Sequence, residues 1–314
     1  MNISYGKALS NGWDRMKNAL FNPFDLGKWF SVGFTAFLAG LVDGSSGNGS
    51  FHKSSKNNWN IEKISDFPGM AWEWLLNHPF WFMLIGLGTL FFIALGVLLL
   101  WLSSRGKFMF LDNVVHDRAL VSKPWNQFKI LGDSLFLWRL CFSIIMFALI
   151  MLFLAAILFV VFYFRSNDLS GLATGLIIAG MVLWFLAICI IAGYITLFLS
   201  HFVVPIMYKN NIGSVEAWRR FMLLFSGYML QFIFYGIIIF LLHLLIAICV
   251  IIIGLCTCCI GFIILAIPYI GTVILLPIQY TFRAMSVEFL EQFGPEYKTF
   301  PEPYDDGFNG VYGL

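Results

Sequence analysis

Long apolar runs separated by short polar segments dominate this chain. The longest uncharged stretch lies between Arg220 and Arg283, where 62 residues include no Asp, Glu, Lys or Arg. Crossing a hydrocarbon layer takes about 20 helical residues, so this stretch predicts two transmembrane helices joined by a tight turn at 254–261. The six apolar runs lie at about residues 26–42, 80–102, 140–164, 172–204, 229–253 and 262–282.

Lipid favours one kind of backbone structure for these runs. A helix satisfies its own backbone hydrogen bonds, whereas an open sheet leaves groups unpaired in the membrane. The runs therefore predict an all-α polytopic membrane protein with about six transmembrane helices. The first run is short, because its strongest apolar part covers only Trp29 to Val42. A re-entrant segment is the alternative to a full crossing at that point.

The distribution of positive charge predicts how the helices are oriented, because Lys and Arg tend to remain on the cytoplasmic side. Of the 19 Lys and Arg residues, 15 lie in the N-terminus, 103–139, 205–220 and the tail. We therefore expect cytoplasmic termini, an extracytoplasmic loop at 43–79 and a cytoplasmic loop at 103–139. Residues 1–294 should form one helical membrane domain, and residues 295–314 a flexible cytoplasmic tail.

A short pattern precedes every second run. A Trp is followed by two polar residues and an apolar one at Trp13, Trp125 and Trp218, and further apolar residues follow at helical spacing. The pattern predicts three helical hairpins, each preceded by an amphipathic helix at the cytoplasmic interface. The alternative is that any helix entering a membrane benefits from a Trp anchor and a basic face.

Composition excludes several classes of protein. The chain is 60% hydrophobic and 11% charged, with a mean hydropathy of +0.85, far from ordinary soluble domains. A net charge of +2 without a basic, aromatic tract gives no support for a nucleic-acid partner. No nucleophile elbow, phosphate loop or dinucleotide fingerprint occurs, so we expect no cofactor, and enzyme activity lacks positive support.

Three segments resemble an uncharacterised prokaryotic family of multi-pass membrane proteins. They are Ala8 to Trp13, Phe24 to Trp29 and Ser104 to Asp112. More distantly, the layout is similar to the membrane domain that accompanies some glycerophosphodiester phosphodiesterases. The resemblance implies a location in the prokaryotic plasma membrane and transfers no catalytic residue. The soluble phosphodiesterase barrel needs about 250 residues, for which this chain has no room.

One ionisable residue lies near the middle of the fifth run, at His243. An ionisable group at that depth is costly unless it is paired, and Gln231 and Tyr269 are candidate partners. Pro268 and Pro277 interrupt the sixth run and free backbone carbonyls that could line a site. The alternative is a neutral imidazole that makes an ordinary hydrogen bond between helices.

Two other groups of residues are candidates for binding. Cys256, Cys258 and Cys259 form a weak candidate for a metal site, and small packing residues in a tight turn are the alternative. Six basic residues near the cytoplasmic interface are candidate contacts for anionic lipid, although the same charges also serve topology. The six residues are Arg105, Lys107, Lys123, Lys129, Arg219 and Arg220.

These observations leave the molecular activity open and favour one hypothesis. We expect a noncatalytic integral membrane protein that organises anionic lipid, or a partner protein such as a second copy, at the cytoplasmic face. The alternative is a transporter of a small solute or lipid that uses the fifth and sixth helices.

Overall fold

The structure, a computed structural model, describes residues 3–43, 73–74, 76–166, 171–257 and 260–301. These residues form helices and no strand, which confirms the all-α prediction for the described part. The α-helices are α1 Tyr5–Phe21, α2 Leu26–Gly40, α3 Pro79–His116, α4 Ser122–Gln127, α5 Lys129–Ser166, α6 Gly171–Phe198, α7 Val204–Asn210, α8 Ser214–Gly227, α9 Met229–Cys256, α10 Ile260–Ala266, α11 Pro268–Ile274 and α12 Leu276–Glu291. A π-helical turn, Leu199–Val203, joins α6 to α7, and a 3₁₀ turn, Pro295–Tyr297, follows α12.

Four helices of the described part are long and apolar enough to cross a membrane: α3, α5, α6 with its continuation to Asn210, and α9. The bent pair of α11 and α12, which meet at 64°, could add a fifth. This set fits a multi-pass membrane protein. The predicted count of six and the three-hairpin arrangement are not confirmed.

The first predicted crossing is the main difference from the expectation. Helix α2 has 15 residues, about 22 Å of helix, and packs antiparallel to the C-terminal half of α3. Lys28 pairs with Asp117 at 2.8 Å, and Ser103 donates to the carbonyl of Ala39 at 2.9 Å. Helix α2 therefore ends beside Ser103, about 24 residues or 36 Å short of the start of α3.

The short reach of α2 changes the position of Asp43. The sequence placed Asp43 at the start of an extracytoplasmic loop and Lys107 in a cytoplasmic one. In the structure the carboxylate of Asp43 forms a salt bridge with Lys107, so the two residues lie at the same level. Helix α2 is also not among the described helices that are long enough to cross a membrane. Most of the expected loop at 43–79 lies outside the described residues.

Helix α3 has two dissimilar halves. Its 38 residues span about 57 Å, and its first half exposes large apolar side chains, with Phe92 71% exposed. Its second half is buried, with Phe108 fully covered. We call the buried region the packed end; it comprises α1, α2, 100–116 of α3, 129–139 of α5, Leu199–Asn210, α8, 229–239 of α9 and α12. We call the exposed helical segments the open end; they comprise 79–98, 140–160, 175–195 and 240–253.

The first and the last long helices of the packed end lie against each other. Helix α1 buries Ala8, Gly12 and Met16, which share one face at a spacing of four residues. A Cβ at Gly12 would come within 2.9 Å of the backbone nitrogen of Met285 in α12. Arg15 of α1 pairs with Glu288 of α12 at 2.6 Å. The N-terminal helix is thus an integral part of the fold.

The sixth apolar run is divided into α10, α11 and α12. Pro268 is the first residue of α11, directly after Ile267 in extended conformation. Pro277 is the second residue of α12. Proline lacks the N–H that continues a helix and is tolerated in the first turn, so both prolines lie where a new helix starts.

The segment after α12 begins with ordered contacts. The backbone N–H groups of Thr299 and Phe300 both donate to the carboxylate of Glu291 at 2.7 Å. The guanidinium of Arg15 lies 3.7 Å from the ring centroid of Phe300. Contacts with the helices therefore continue as far as Phe300. Residues 302–314 lie outside the described part.

Candidate functional site

A cavity of about 1010 Å³ lies where the packed end meets the open end. Its walls come from α2, α3, α5, α6, α9 and α12. Most of the wall is apolar, and large side chains from the open end contribute much of it. Examples are Phe142, Leu186, Ile190 and Phe240.

A group of charged side chains lines the same cavity at the packed end. The carboxylate of Asp43 lies between Lys107 and Arg139, with 2.5 Å to Nη2 of Arg139. Nη1 of Arg139 also donates to the hydroxyls of Ser103 and Ser104, at 3.0 and 3.3 Å. The side chains of Lys107 and Arg139 are only 3% and 8% exposed. Both cations are thus buried and fixed by several contacts.

Arg283 of α12 adds a third cation. Its Nη1 donates to the backbone carbonyl of Ser200 at 2.6 Å, while Nζ of Lys107 donates to the Ser200 hydroxyl at 2.6 Å. Both cations therefore converge on Ser200. Among the described residues, no carboxylate lies within salt-bridge distance of Arg283.

The π-helical turn explains how Ser200 reaches Arg283. In that turn the N–H of Val204 bonds to the carbonyl of Leu199, five residues back. A π turn widens the backbone and changes which carbonyls its own helix uses, and such turns occur often at functional sites. Here the carbonyl of Ser200 accepts the bond from Arg283. We call Asp43, Lys107, Arg139, Ser200 and Arg283 the cationic cluster.

The cationic cluster carries a net charge of about +2, with three cations and one carboxylate. A buried charge is costly unless an opposite charge or hydrogen bonds compensate it. Asp43 compensates one of the three. The cavity is therefore suited to an anion, and its apolar walls are suited to hydrocarbon.

Two histidines also line the cavity. Nδ1 of His243 lies 2.8 Å from the carbonyl of Ile239, so Nδ1 carries the proton, since a carbonyl only accepts. Its ring stacks on Phe282 with centroids 4.5 Å apart. His201 lies 2.8 Å from the hydroxyl of Tyr235. The structure thus brings both histidines to the cavity.

The partners that the sequence offered for His243 lie elsewhere. The hydroxyl of Tyr269 donates to the carbonyl of Phe30 at 2.8 Å. The carbonyl of Gln231 accepts from the hydroxyl of Tyr5. His243 bonds instead within its own helix. Pro268 and Pro277 are not among the residues that line the cavity; they lie in the first turns of α11 and α12.

The six basic residues expected to contact lipid divide into three groups. Lys107 belongs to the cationic cluster. Arg105 pairs with Asp133 at 3.0 Å, and its guanidinium lies 4.3 and 5.1 Å from the ring centroids of Trp101 and Trp125. The other four, Lys123, Lys129, Arg219 and Arg220, are exposed on α4, α5 and α8.

The exposed pair on α8 is held by one carboxylate. Arg219 and Arg220 contact Glu216 at 3.0 and 3.2 Å. Hydrogen bonds from Arg219 and then Arg220 lower the pKa of Glu216. The pair is therefore partly neutralised at the surface.

Most of the cysteine cluster lies outside the part of the chain that the structure describes, so the metal site stays a prediction. Cys256 is exposed at the end of α9 with a free thiol, and Cys258 and Cys259 lie outside the described residues. Within the described ranges, no group of three or more His, Cys, Asp or Glu side chains could hold a metal ion.

Sequence reasoning missed Asp43, Arg139 and Arg283 as members of one site. Arg139 and Arg283 were assigned to cytoplasmic connections, because each lies at the edge of an apolar run. The signal that could have identified them is their immediate surroundings. Leu140 and Cys141 follow Arg139, and Phe282 and Ala284 flank Arg283, so neither charge lies in a polar segment.

The fold and the cavity define a class of protein: a helical membrane protein with a charged internal cavity. A family model matches residues 5–292, and the chain belongs to this family, described as a family of unknown function (DUF7544). No curated protein and no solved structure matches the chain. The family agrees with the expectation of an uncharacterised family, and no comparison links it to the membrane domain of glycerophosphodiester phosphodiesterases.

Proposed function

We propose that this protein is a noncatalytic integral membrane protein that binds an anionic membrane lipid in the cavity. The acyl chains would lie against the apolar walls from the open end, and the headgroup would contact the cationic cluster. The observation that carries the proposal is the pairing of an apolar cavity with three convergent cations and a single carboxylate. Chemistry on the lipid is not required by any residue of the site.

The size of the cavity supports one bound amphiphile. Ligand pockets typically measure about 300–1,000 Å³, and this cavity of about 1010 Å³ is at the upper end of that range. Its apolar walls include Ile190 and Phe240, which are 60% and 67% exposed. Their exposure is expected where the walls face lipid, so a chain can enter from the bilayer.

The donors of the cluster support an anionic headgroup. Hydrogen bonds from Arg or Lys to phosphate are short and about twice as strong as neutral ones. A soluble anion would use the cluster but leave the apolar walls without a partner. A lipid uses both parts of the site.

The proposed orientation places the packed end on the cytoplasmic side, as the charge distribution predicts. That side of the membrane carries anionic lipid, which attracts juxtamembrane Lys and Arg. Lys123, Lys129, Arg219 and Arg220 would then face the headgroup region and hold the protein against it. In this arrangement the exposed basic residues collect anionic lipid, and the cationic cluster binds one molecule of it.

The test is lipid mass spectrometry of the full-length protein after gentle native extraction. We expect about one anionic lipid per chain to be retained. Arg283→Gln removes a cation without leaving a carboxylate unpaired, and it should lower retention about tenfold, because bonds to charged groups contribute about 1.5–3 kcal/mol.

Lys209→Gln is the matched control, since it removes one exposed positive charge that neither lines the cavity nor belongs to the four basic residues proposed to collect lipid. It should leave retention unchanged, and circular dichroism should show that both variants are folded. Equal retention by wild type and Arg283→Gln would contradict the proposal.

A transporter is the second candidate, because His201 and His243 line the same cavity. Histidine chains are typical of proton-coupled transport. Flux of protons or solute into vesicles containing the protein, abolished by His243→Ala, would favour transport over lipid binding alone.

A further inference from the structure

The charge of the cationic cluster identifies the headgroup more narrowly. Resting on the proposed function, we propose that the cluster recognises a phosphate monoester, which carries two negative charges or nearly two. A lipid of this kind has a terminal phosphate and no further headgroup substituent.

Charge balance is the first argument. Lys107, Arg139 and Arg283 contribute three positive charges, and Asp43 is the one acidic residue among the described residues that line the cavity. The remaining charge of about +2 has no partner in the described structure. A phosphate monoester carries about −1.5 to −2 at pH 7 and would neutralise it. A phosphate diester would leave about +1, and a zwitterionic headgroup would leave about +2.

The available hydrogen-bond donors are the second argument. Arg283 has five N–H groups, and in the described structure its hydrogen bond goes from Nη1 to Ser200. Lys107 has three N–H groups, two of which serve Asp43 and Ser200. Lys107 and Arg283, which both donate to Ser200, thus keep N–H groups that are available to a ligand. A monoester offers three terminal oxygens, one more than a diester, and can accept from both cations together.

The role of Asp43 is the third argument. Its two oxygens already contact Lys107 and Arg139, so one anion is built into the protein beside the ligand position. The built-in carboxylate repels any anion, so it lowers the charge that a ligand meets from about +3 to about +2. The charge that remains equals that of a dianion, and without Asp43 a dianion would leave about +1 unbalanced.

The test compares binding of purified wild-type protein to lipids with identical acyl chains in one detergent: phosphatidic acid, phosphatidylglycerol and phosphatidylcholine. We expect phosphatidic acid to bind about tenfold more tightly than phosphatidylglycerol, and phosphatidylcholine most weakly. Arg283→Gln should reduce the ratio between the two anionic lipids to less than threefold. Arg283→Lys keeps the charge and should keep the preference.

Asp43→Asn raises the net charge of the cluster, and it should tighten binding of both anionic lipids. Lys209→Gln, at an exposed position outside the cavity, should leave every ratio at the wild-type value. These two variants distinguish charge at the cluster from charge anywhere on the protein. Failure of Asp43→Asn to tighten binding, in folded protein, would count against the charge-balance argument.

Binding of inorganic phosphate tests whether the site takes the phosphate of a lipid headgroup or free phosphate. Phosphatidic acid should bind at least a hundredfold more tightly than inorganic phosphate, because only the lipid contacts the apolar walls. Equal binding of the two would support a phosphate site but overturn lipid as its ligand. Equal binding of phosphatidic acid and phosphatidylglycerol would overturn the monoester while lipid binding stands. Equal retention of anionic lipid by wild type and Arg283→Gln would overturn the proposed function itself.

Discussion

Both halves of α3 carry large apolar side chains, but the surroundings of those side chains differ greatly. In the first half, Phe92 is 71% exposed and Leu98 is 54% exposed. In the second half, Phe108 and Leu111 are fully buried. The comparison teaches that apolar sequence alone does not separate side chains that face lipid from side chains that pack on protein.

Polar residues mark the difference between the halves. The buried half contains Ser103, Lys107, Asp112 and Asn113, each hydrogen-bonded to another part of the packed end. Asn113, for example, bonds both the N–H and the carbonyl of Leu120. Buried polar groups of this kind need partners at fixed positions, so they specify how helices meet. The exposed half of α3 has no buried polar groups of this kind that would need partners on other helices.

The largest effect is expected from a core aromatic at the packed end. Phe202 is fully buried, with the rings of Phe221, Phe232, Tyr235 and Phe289 at centroid distances of 4.9 to 5.8 Å. Phe202→Ala should lower the free energy of unfolding by about 3–5 kcal/mol, measured by thermal unfolding in lipid nanodiscs.

Phe92→Ala makes the same change at the open end, where lipid fills the space that the ring leaves. It should change stability by less than about 1 kcal/mol. Similar losses for the two variants would mean that both halves of α3 pack on protein.

A second comparison uses one substitution at two positions of α3. A Cβ at Gly106 would come within 2.6 Å of the backbone of Leu38 and Ala39, which would force α2 away. At Gly96 nothing lies within 4 Å. Gly106→Ala should therefore cost about 1–3 kcal/mol, and Gly96→Ala should stabilise the helix by up to about 1 kcal/mol.

Thermal unfolding is again the measurement for this pair. Gly106→Ala should also disturb the contacts of Asp43, because they depend on the position of α2. If Gly106→Ala unfolds like wild type, α2 does not pack on α3 as the structure shows.

Much of the fold can be predicted from the lengths of the apolar runs in the sequence. The runs at 80–102, 140–164 and 229–253 predict helices, and α3, α5 and α9 contain them. The extension of α3 to His116 could not be predicted, because residues 103–116 mix charges with apolar residues as a loop also does. Only their burial against α2 and α5 makes this segment helical and ordered.

The candidate site could be predicted only in part. His243 stands out because a charge within an apolar run is rare, and it does line the cavity. Arg139 and Arg283 lie at run edges, where topology alone accounts for a cation. Asp43 lies far from Lys107 in sequence and was expected on the opposite side of the membrane. The position of its carboxylate follows from the short length of α2, which periodicity does not reveal.

A third and smaller effect is expected at the boundary between the two ends. The side chain of Arg105 is 12% exposed and pairs with Asp133, and its guanidinium lies over the ring of Trp101 and close to that of Trp125. Arg105→Lys keeps the charge but loses the planar stacking and the two-pronged contact. The free energy of unfolding should fall by about 1 kcal/mol. Arg219→Lys, the same change at a 73% exposed side chain, should stay within about 0.5 kcal/mol of wild type.

The smallest effect is expected at the surface of α8. Glu216 accepts hydrogen bonds from Arg219 and Arg220, which lower its pKa in the folded protein. A carboxyl with a lowered folded pKa stabilises the fold above its unfolded pKa, and this contribution is lost as pH falls through the folded value. Glu216→Gln should therefore lower the unfolding temperature slightly at pH 7 and not at all once Glu216 is protonated in the wild type. High salt should reduce the difference at pH 7 as well, because exposed charges are screened. A large effect that persists in high salt would show that α8 is buried against a partner, and the packed end would then extend beyond this chain.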